Sequence, residues 1–281
     1  MASIGALVTM STVLAAPPTY TATRIVGPPG TAVNGTANNR AGDIVGWTAP
    51  LGTNLGRPFL FSGGARIDFE ALGGPTGFAG DINDAGAIVG VADIPSGVDH
   101  AFVRSNGVVR DIHPAGARSS FAQAINDAGA IVGGYVDAAG IFQGFLLQGT
   151  ALTTLPTLGG NTTLANSINE AGIVVGYSRN AQNQTRPFRY SGGTMTDLGT
   201  FGGNNGVALG INERGDIVGY AESAGSPARG FLSTLMERLR RSARWVAIRA
   251  RHSTSTTAAQ SSVNRRLPRV AIARSFSPRT Q

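Results

Sequence analysis

Between residues 20 and 232 the apolar residues fall in short runs broken by Gly, Asn or Pro, and no stretch of 11 or more residues carries a helical apolar period. The runs predict strands, four to a unit. Strand A leads into an Asn, as in Phe121-Ala122-Gln123-Ala124-Ile125. Strand B is the Ile-Val-Gly run after the next turn, and strand C surrounds a Phe, as in Gly144-Phe145-Leu146-Leu147. Strand D, Leu152 to Leu158 in the same unit, precedes a Gly pair.

The units repeat. Ile82-Asn83-Asp84-Ala85-Gly86-Ala87-Ile88-Val89-Gly90 returns at Ile125–Gly133, at Ile168–Gly176 and at Ile211–Gly219, with a weaker first copy at Asn38–Gly46. The Asn positions 39, 83, 126, 169 and 212 are spaced by 44, 43, 43 and 43. Phe59, Phe102, Phe145, Phe188 and Phe231 keep a spacing of 43 throughout, as do Gly30, Gly73, Gly116, Gly159 and Gly202. The Asn-Asp-Ala-Gly phrase has a turn's chemistry: Asn caps the backbone, the next two residues take the type I corners, and Gly accepts the left-handed conformation. Four strands in 43 residues is the arithmetic of a β-propeller blade.

This predicts an all-β, five-bladed β-propeller over 20–232. The segment Tyr20 to Gly30 matches a strand D with nothing before it, and the last unit stops after strand C at Phe231-Leu232. The N-terminal strand is therefore expected to pair with the C-terminal strand C and complete the last blade, removing two exposed sheet edges. An open β-solenoid, or a piece of a larger propeller, is the alternative. Ala79, Ala122, Ala165 and Ala208 recur as small residues expected near the crowded axis.

The phrases Leu198-Gly199-Thr200-Phe201-Gly202-Gly203, Ile-Asn-x-x-Gly-x-Ile-Val-Gly-Tyr and His100-Ala101-Phe102 resemble the HAF family of probable extracellular repeats. The name-giving triplet drifts elsewhere to Arg57-x-Phe59, Gln143-x-Phe145, Arg186-x-Phe188 and Arg229-x-Phe231. The resemblance implies bacterial export, secreted or periplasmic, and a repeat scaffold. It brings no catalytic residue, substrate or cofactor.

Composition narrows the chemistry. With no Cys among 281 residues, disulfides, thiolate nucleophiles and zinc knuckles are excluded. Three His (His100, His113, His252) argue against a His-built metal centre, and no metal or cofactor is expected. The net charge of +7 misleads: residues 233–281 hold 11 Arg against Glu237 alone, while the body is mildly acidic. That distribution argues against a nucleic-acid-binding domain, whose basic surface belongs on the folded body. The segment 233–281 reads as a disordered or short-helical basic tail able to touch anionic surfaces, or as an out-of-frame product. Residues 1–19 resemble a secretory leader without a positive n-region, and are too short and polar to span a bilayer.

Candidate binding residues lie two before each Phe: Arg57, His100, Gln143, Arg186 and Arg229, a ring of donors suited to carboxylates, sulfates or sugar hydroxyls. The commoner role for such strand-start residues is to be solvated or to cap their own loop. Trp47, Tyr177 and Tyr220 follow the strand B Gly and could stack on sugars, although packing between blades is the usual use of the position. Asp84, Asp127, Glu170 and Glu213 recur at the turn, where an acid has a local structural reason. The non-repeating acids Asp68, Glu70, Asp99 and Asp111 have no evident pairing, and no Ser is placed to complete a triad with Asp111 and His113. The expected function is a monomeric exported scaffold, without catalysis, binding a glycan or protein partner through propeller loops. A glycoside-processing propeller enzyme and a ligand-free structural protein are the alternatives.

Overall fold

A computed structural model describes residues 22–233 and 246–248. They form five four-stranded antiparallel sheets, one per repeat, in the architecture of a five-bladed β-propeller. Blade 1 comprises β1 (Thr31–Asn38), β2 (Ile44–Pro50), β3 (Arg57–Ser62) and β4 (Ala65–Asp68). Blade 2 comprises β5 (Gly77–Ile82), β6 (Ile88–Asp93), β7 (Asp99–Ser105) and β8 (Val108–Asp111). Blade 3 is built from β9 (Ser119–Ile125), β10 (Ile131–Val136), β11 (Phe142–Gln148) and β12 (Ala151–Thr154). Blade 4 follows with β13 (Gly159–Ile168), β14 (Val174–Asn180), β15 (Thr185–Ser191) and β16 (Thr194–Asp197). Blade 5 holds β17 (Gly202–Ile211), β18 (Ile217–Ser223), β19 (Ser226–Ser233) and β20 (Val246–Ile248). In every blade the strands pair in chain order.

The repeated phrase builds the first hairpin of each blade. Gly86 N–H bonds to the Asn83 carbonyl at 3.0 Å, and Asn83 Oδ1 accepts the Ala87 N–H at 2.8 Å. Gly42, Gly86, Gly129, Gly172 and Gly215 all sit at φ between 71° and 85°, a conformation costly for any residue with a Cβ. The strand B glycine has a different reason. In each blade strand A shifts register at the same place, for example between Ala79 and Asp81 opposite Gly90. A Cβ on Gly90, Gly133 or Gly176 would collide with the carbonyl oxygen of Phe78, Phe121 or Leu164.

The core lies between blades. Val45 of blade 1 packs with Ala79, Ile82 and Phe102 of blade 2. Val89 packs with Ala122, Ile125 and Phe145 of blade 3, Val132 with Ala165, Ile168 and Phe188 of blade 4, and Val175 with Ala208, Ile211 and Phe231 of blade 5. The recurring alanines are buried to between 0% and 4% exposure, because each is the contact point for the preceding blade. All five strand C phenylalanines are buried.

Closure differs from the sequence expectation. The fourth strand of blade 5 is Val246–Ile248, pairing Gly230↔Ile248 and Leu232↔Val246 on β19, not the N-terminal segment. Residues 22–30 form no strand, and the Val26 carbonyl accepts from Arg66 of blade 1 at 2.9 Å. The chain after Ser233 thus returns to finish its own blade, so three residues read as part of a basic tail belong to the sheet. The leader 1–19 and the rest of 233–281 lie outside the described residues, apart from Ser233, which ends β19.

Candidate functional site

Antiparallel order gives each blade two unlike ends. One carries the Asn-x-x-Gly turns of all five blades and, in blades 1 to 4, the tight C–D hairpins. The other carries the D–A linkers, which hold or adjoin the repeated Gly73, Gly116, Gly159 and Gly202, and the B–C turns, which vary in length and sequence: Leu51–Gly56, Ile94–Val98, Asp137–Ile141, Ala181–Gln184 and Ala224–Gly225. Arg57, His100, Gln143 and Arg186 are the first or second residue of strand C at this end, and Arg229 is the fourth residue of β19.

Most of the donors are held by an acid of their own blade. Arg57 NH1 lies 3.3 Å from Glu70, Arg186 Nε 3.0 Å from Asp197, and His100 Nδ1 2.7 Å from Asp111. Gln143 Nε2 donates to Asp137 at 3.2 Å. Asp137 also caps its turn by accepting from Ile141 and Ala139, and these backbone donors, Ile141 first, hold its carboxyl below the usual range. Arg229 is exposed, with no acid partner among the described residues. Four of the five donors are therefore pre-oriented by a local carboxylate.

The single His-Ala-Phe copy makes the densest polar cluster. His100 and His113 stack with ring centroids 3.7 Å apart and planes at 7°. Asp111 holds both: Oδ2 accepts a hydrogen bond from His100 Nδ1, and Oδ1 accepts one from the His113 backbone N–H at 2.8 Å. His113 Nε2 faces the Ala117 carbonyl at 3.1 Å, an atom that can only accept, so the neutral ring carries its proton there. Nδ1 then accepts from Ser120 Oγ at 2.8 Å, and Ser120 Oγ receives the Ala101 N–H at 2.9 Å. Burial pushes the His113 pKa below its ordinary value; the neighbouring His100 acts in the same direction, while the Ala117 bond and Asp111 oppose it.

Ser120 meets His113, a contact the sequence reading did not anticipate, but it completes no triad with Asp111. Its position two residues into β9, outside every repeated phrase, gave no signal. The geometry is not that of a nucleophile. Ser120 is 1% exposed, and the second nitrogen of His113 binds a carbonyl where a triad needs a carboxylate. The non-repeating acids are likewise engaged: Asp68 with Arg66 and Glu70 with Arg57. Among the described residues no group of three or more His, Asp or Glu is arranged to hold a metal ion.

At the constant end the repeated acids work between blades, not locally as the sequence suggested. Asp84 Oδ1 accepts the Arg40 N–H at 2.8 Å, Asp127 the Asp84 N–H at 2.7 Å, Glu170 the Asp127 N–H at 2.8 Å and Glu213 the Glu170 N–H at 3.0 Å. A parallel row runs beneath. The Nδ2 of Asn39, Asn83, Asn126 and Asn169 donates to the next Asn carbonyl at 3.0 to 3.3 Å. Of the aromatics, Trp47 packs edge-on against Phe78 of blade 2, centroids 5.4 Å apart, whereas Tyr220 is 43% exposed. A groove of about 220 Å³ lies at this end beside Asn126, Gln148 and Glu170.

Comparison with known proteins supports the fold. The chain is similar to the structure of TolB from Acinetobacter baumannii, with TM-score 0.50 and 14% identity over 72% of this chain and 52% of that one. It spans about half the length of that protein. Weaker likenesses join it to an acylaminoacyl peptidase (TM-score 0.43, 13% identity, 73% of this chain and 32% of that) and to the fucose-specific lectin from Aleuria aurantia (0.38, 12%, 72% and 73%). No family model matches the chain, and no curated protein does.

Proposed function

We propose that this protein is an exported, non-catalytic propeller scaffold that binds a glycan or protein partner through the variable end of its blades. One observation carries the reading: the repeated polar residues are tied into blade-to-blade hydrogen bonds at the constant end, while sequence variation and oriented donors gather at the other. A surface that varies on a rigid scaffold is where recognition is usually built. Export rests on the resemblance to HAF repeats and on the leader-like N-terminus. No helix among the described residues is long and apolar enough to cross a membrane.

The test is a glycan array and a crosslinking capture with the full chain. Arg57→Ala plus Arg186→Ala should reduce capture at least about tenfold, and substitution of Gln148 at the constant end should not. Hydrolysis of a glycan by the purified chain, lost on substitution of Asp111 or Glu70, would contradict the reading.

A further inference from the structure

The four blade interfaces share one chemistry, and among the described residues the facing sides of blade 5 and blade 1 lack it. In blades 2 to 5 the strand A positions that meet the preceding blade are Ala79, Ala122, Ala165 and Ala208, with Ile82, Ile125, Ile168 and Ile211, all buried. Their counterparts in blade 1 are Gly35 and Asn38, both exposed. Phe69, Ile112, Leu155 and Leu198 pack into the four interfaces, whereas their counterpart Val26 is 61% exposed. On the blade 5 side Val218 is only partly buried where Val45, Val89, Val132 and Val175 are 0% exposed, and Tyr220 stands out. Phe59 remains buried, so the uncovered positions belong to the inner strands and their lead-in.

The hydrogen bonds stop at the same place. Asn212 Nδ2 turns back to Asp216 of its own turn at 2.9 Å. The Glu213 N–H meets no carboxylate among the described residues, and where blade 1 should offer one it has Arg40, whose guanidinium pairs with Asp84 at 2.8 Å. Asp216 and Asp43 stand in the fifth and first repeats where the other three have Ala87, Ala130 and Ile173.

We infer that the outer face of blade 5 is a docking surface for one further blade of the same repeat, with a strand A reading Ala-x-x-Ile-Asn followed by Asp or Glu. The four existing interfaces define this occupant. The small Ala and the Ile fill the space over Val218 and Tyr220, the Asn carbonyl takes Asn212 Nδ2, and the acid takes the Glu213 N–H. Blade 1, in this chain or in a second copy, offers Gly35, Asn38 and Arg40 at those points and fits poorly.

The chain has no Cys, so single cysteines can be labelled cleanly. In the full chain V218C should react with a maleimide about tenfold or more faster than V175C. Equal rates would overturn the inference, because the face would then already be covered. Introducing Gly35→Ala, Asn38→Ile and Arg40→Asp into the V218C chain gives blade 1 the missing side chains, and labelling should fall at least about tenfold. Dependence on protein concentration tells whether the blade is met in the same chain or in another. If V175C becomes reactive in the triple variant, that variant is misfolded, and Asn38→Ile alone is used, with about threefold protection expected. No protection in the folded variant overturns the inference. Equal protection on adding unlabelled unsubstituted chain would make a second copy the occupant and overturn it as well.

Discussion

The junction of blades 3 and 4 and the seam between blades 5 and 1 are made from the same repeat, yet only the first is a core. At the junction Val132, Ala165, Ile168 and Phe188 are buried together, Asn126 bonds across to Asn169, and Asp127 N–H to Glu170. At the seam the equivalents are Val218, Gly35, Asn38 and an inward-turned Asn212. The lesson is that a propeller blade of this type is incomplete by itself. Its apolar face is buried, and its row of hydrogen bonds continued, only where the next blade supplies an Ala, an Ile and an acid, so what each repeated residue contributes depends on the neighbouring blade's sequence as well as its own.

Core truncation separates the two regions most. Phe188→Ala, at 0% exposure, should cost about 3–5 kcal/mol, whereas Tyr220→Ala at the seam should stay within about 0.5 kcal/mol. Denaturant melts of the two variants check this. The asparagines come next. Asn126→Ala orphans the Ala130 N–H and leaves the Asn169 carbonyl with the Gly172 N–H alone, roughly 1–3 kcal/mol, while Asn212→Ala loses bonds only within an open turn, about 1 kcal/mol. A similar loss for both would erase the distinction between junction and seam.

The smallest expected effect is a pH dependence at the junction of blades 2 and 3, where His113 reaches Ser120. Its folded pKa lies below 6.5, so the unfolded chain binds the proton more tightly. The stabilisation is complete above pH about 6.5 and is lost as pH falls from there towards the lowered folded value. Melting temperature should therefore drop between pH 7 and pH 5.5, and His113→Gln should flatten that slope. An unchanged slope in the variant would assign the effect elsewhere.

Much of this was legible in the chain. The period of 43, the Asn-x-x-Gly turn and the Phe of strand C fixed five four-stranded units, because turn chemistry and core contacts are repeated wherever the geometry is. The fourth strand of blade 5 was not legible: the period breaks at Ser233, and Val246–Ile248 carries no Gly pair or register mark. The acids misled for a subtler reason. A carboxylate at a turn has a sufficient local explanation, and nothing in one sequence shows that Asp127 reaches the neighbouring turn. Gly35, Asn38 and Arg40 were visible as departures of a weaker first copy, but their meaning required the four intact interfaces for comparison. The donors Arg57, His100, Gln143 and Arg186 could be aligned from sequence, as could Asp111 and Asp197, each 11 residues after its donor, whereas Glu70 and Asp137 hold theirs from other separations and could not.

The central claim is that four junctions are closed by a shared hydrogen-bond row and the seam is not. Residue-resolved amide exchange on the full chain tests it directly. The Arg40, Asp84, Asp127 and Glu170 amides, each bonded to the next blade's carboxylate, should exchange slowly, and the Glu213 amide at the equivalent position should exchange fast. A Glu213 amide as protected as that of Glu170 would contradict the account, since the row would then continue around the ring.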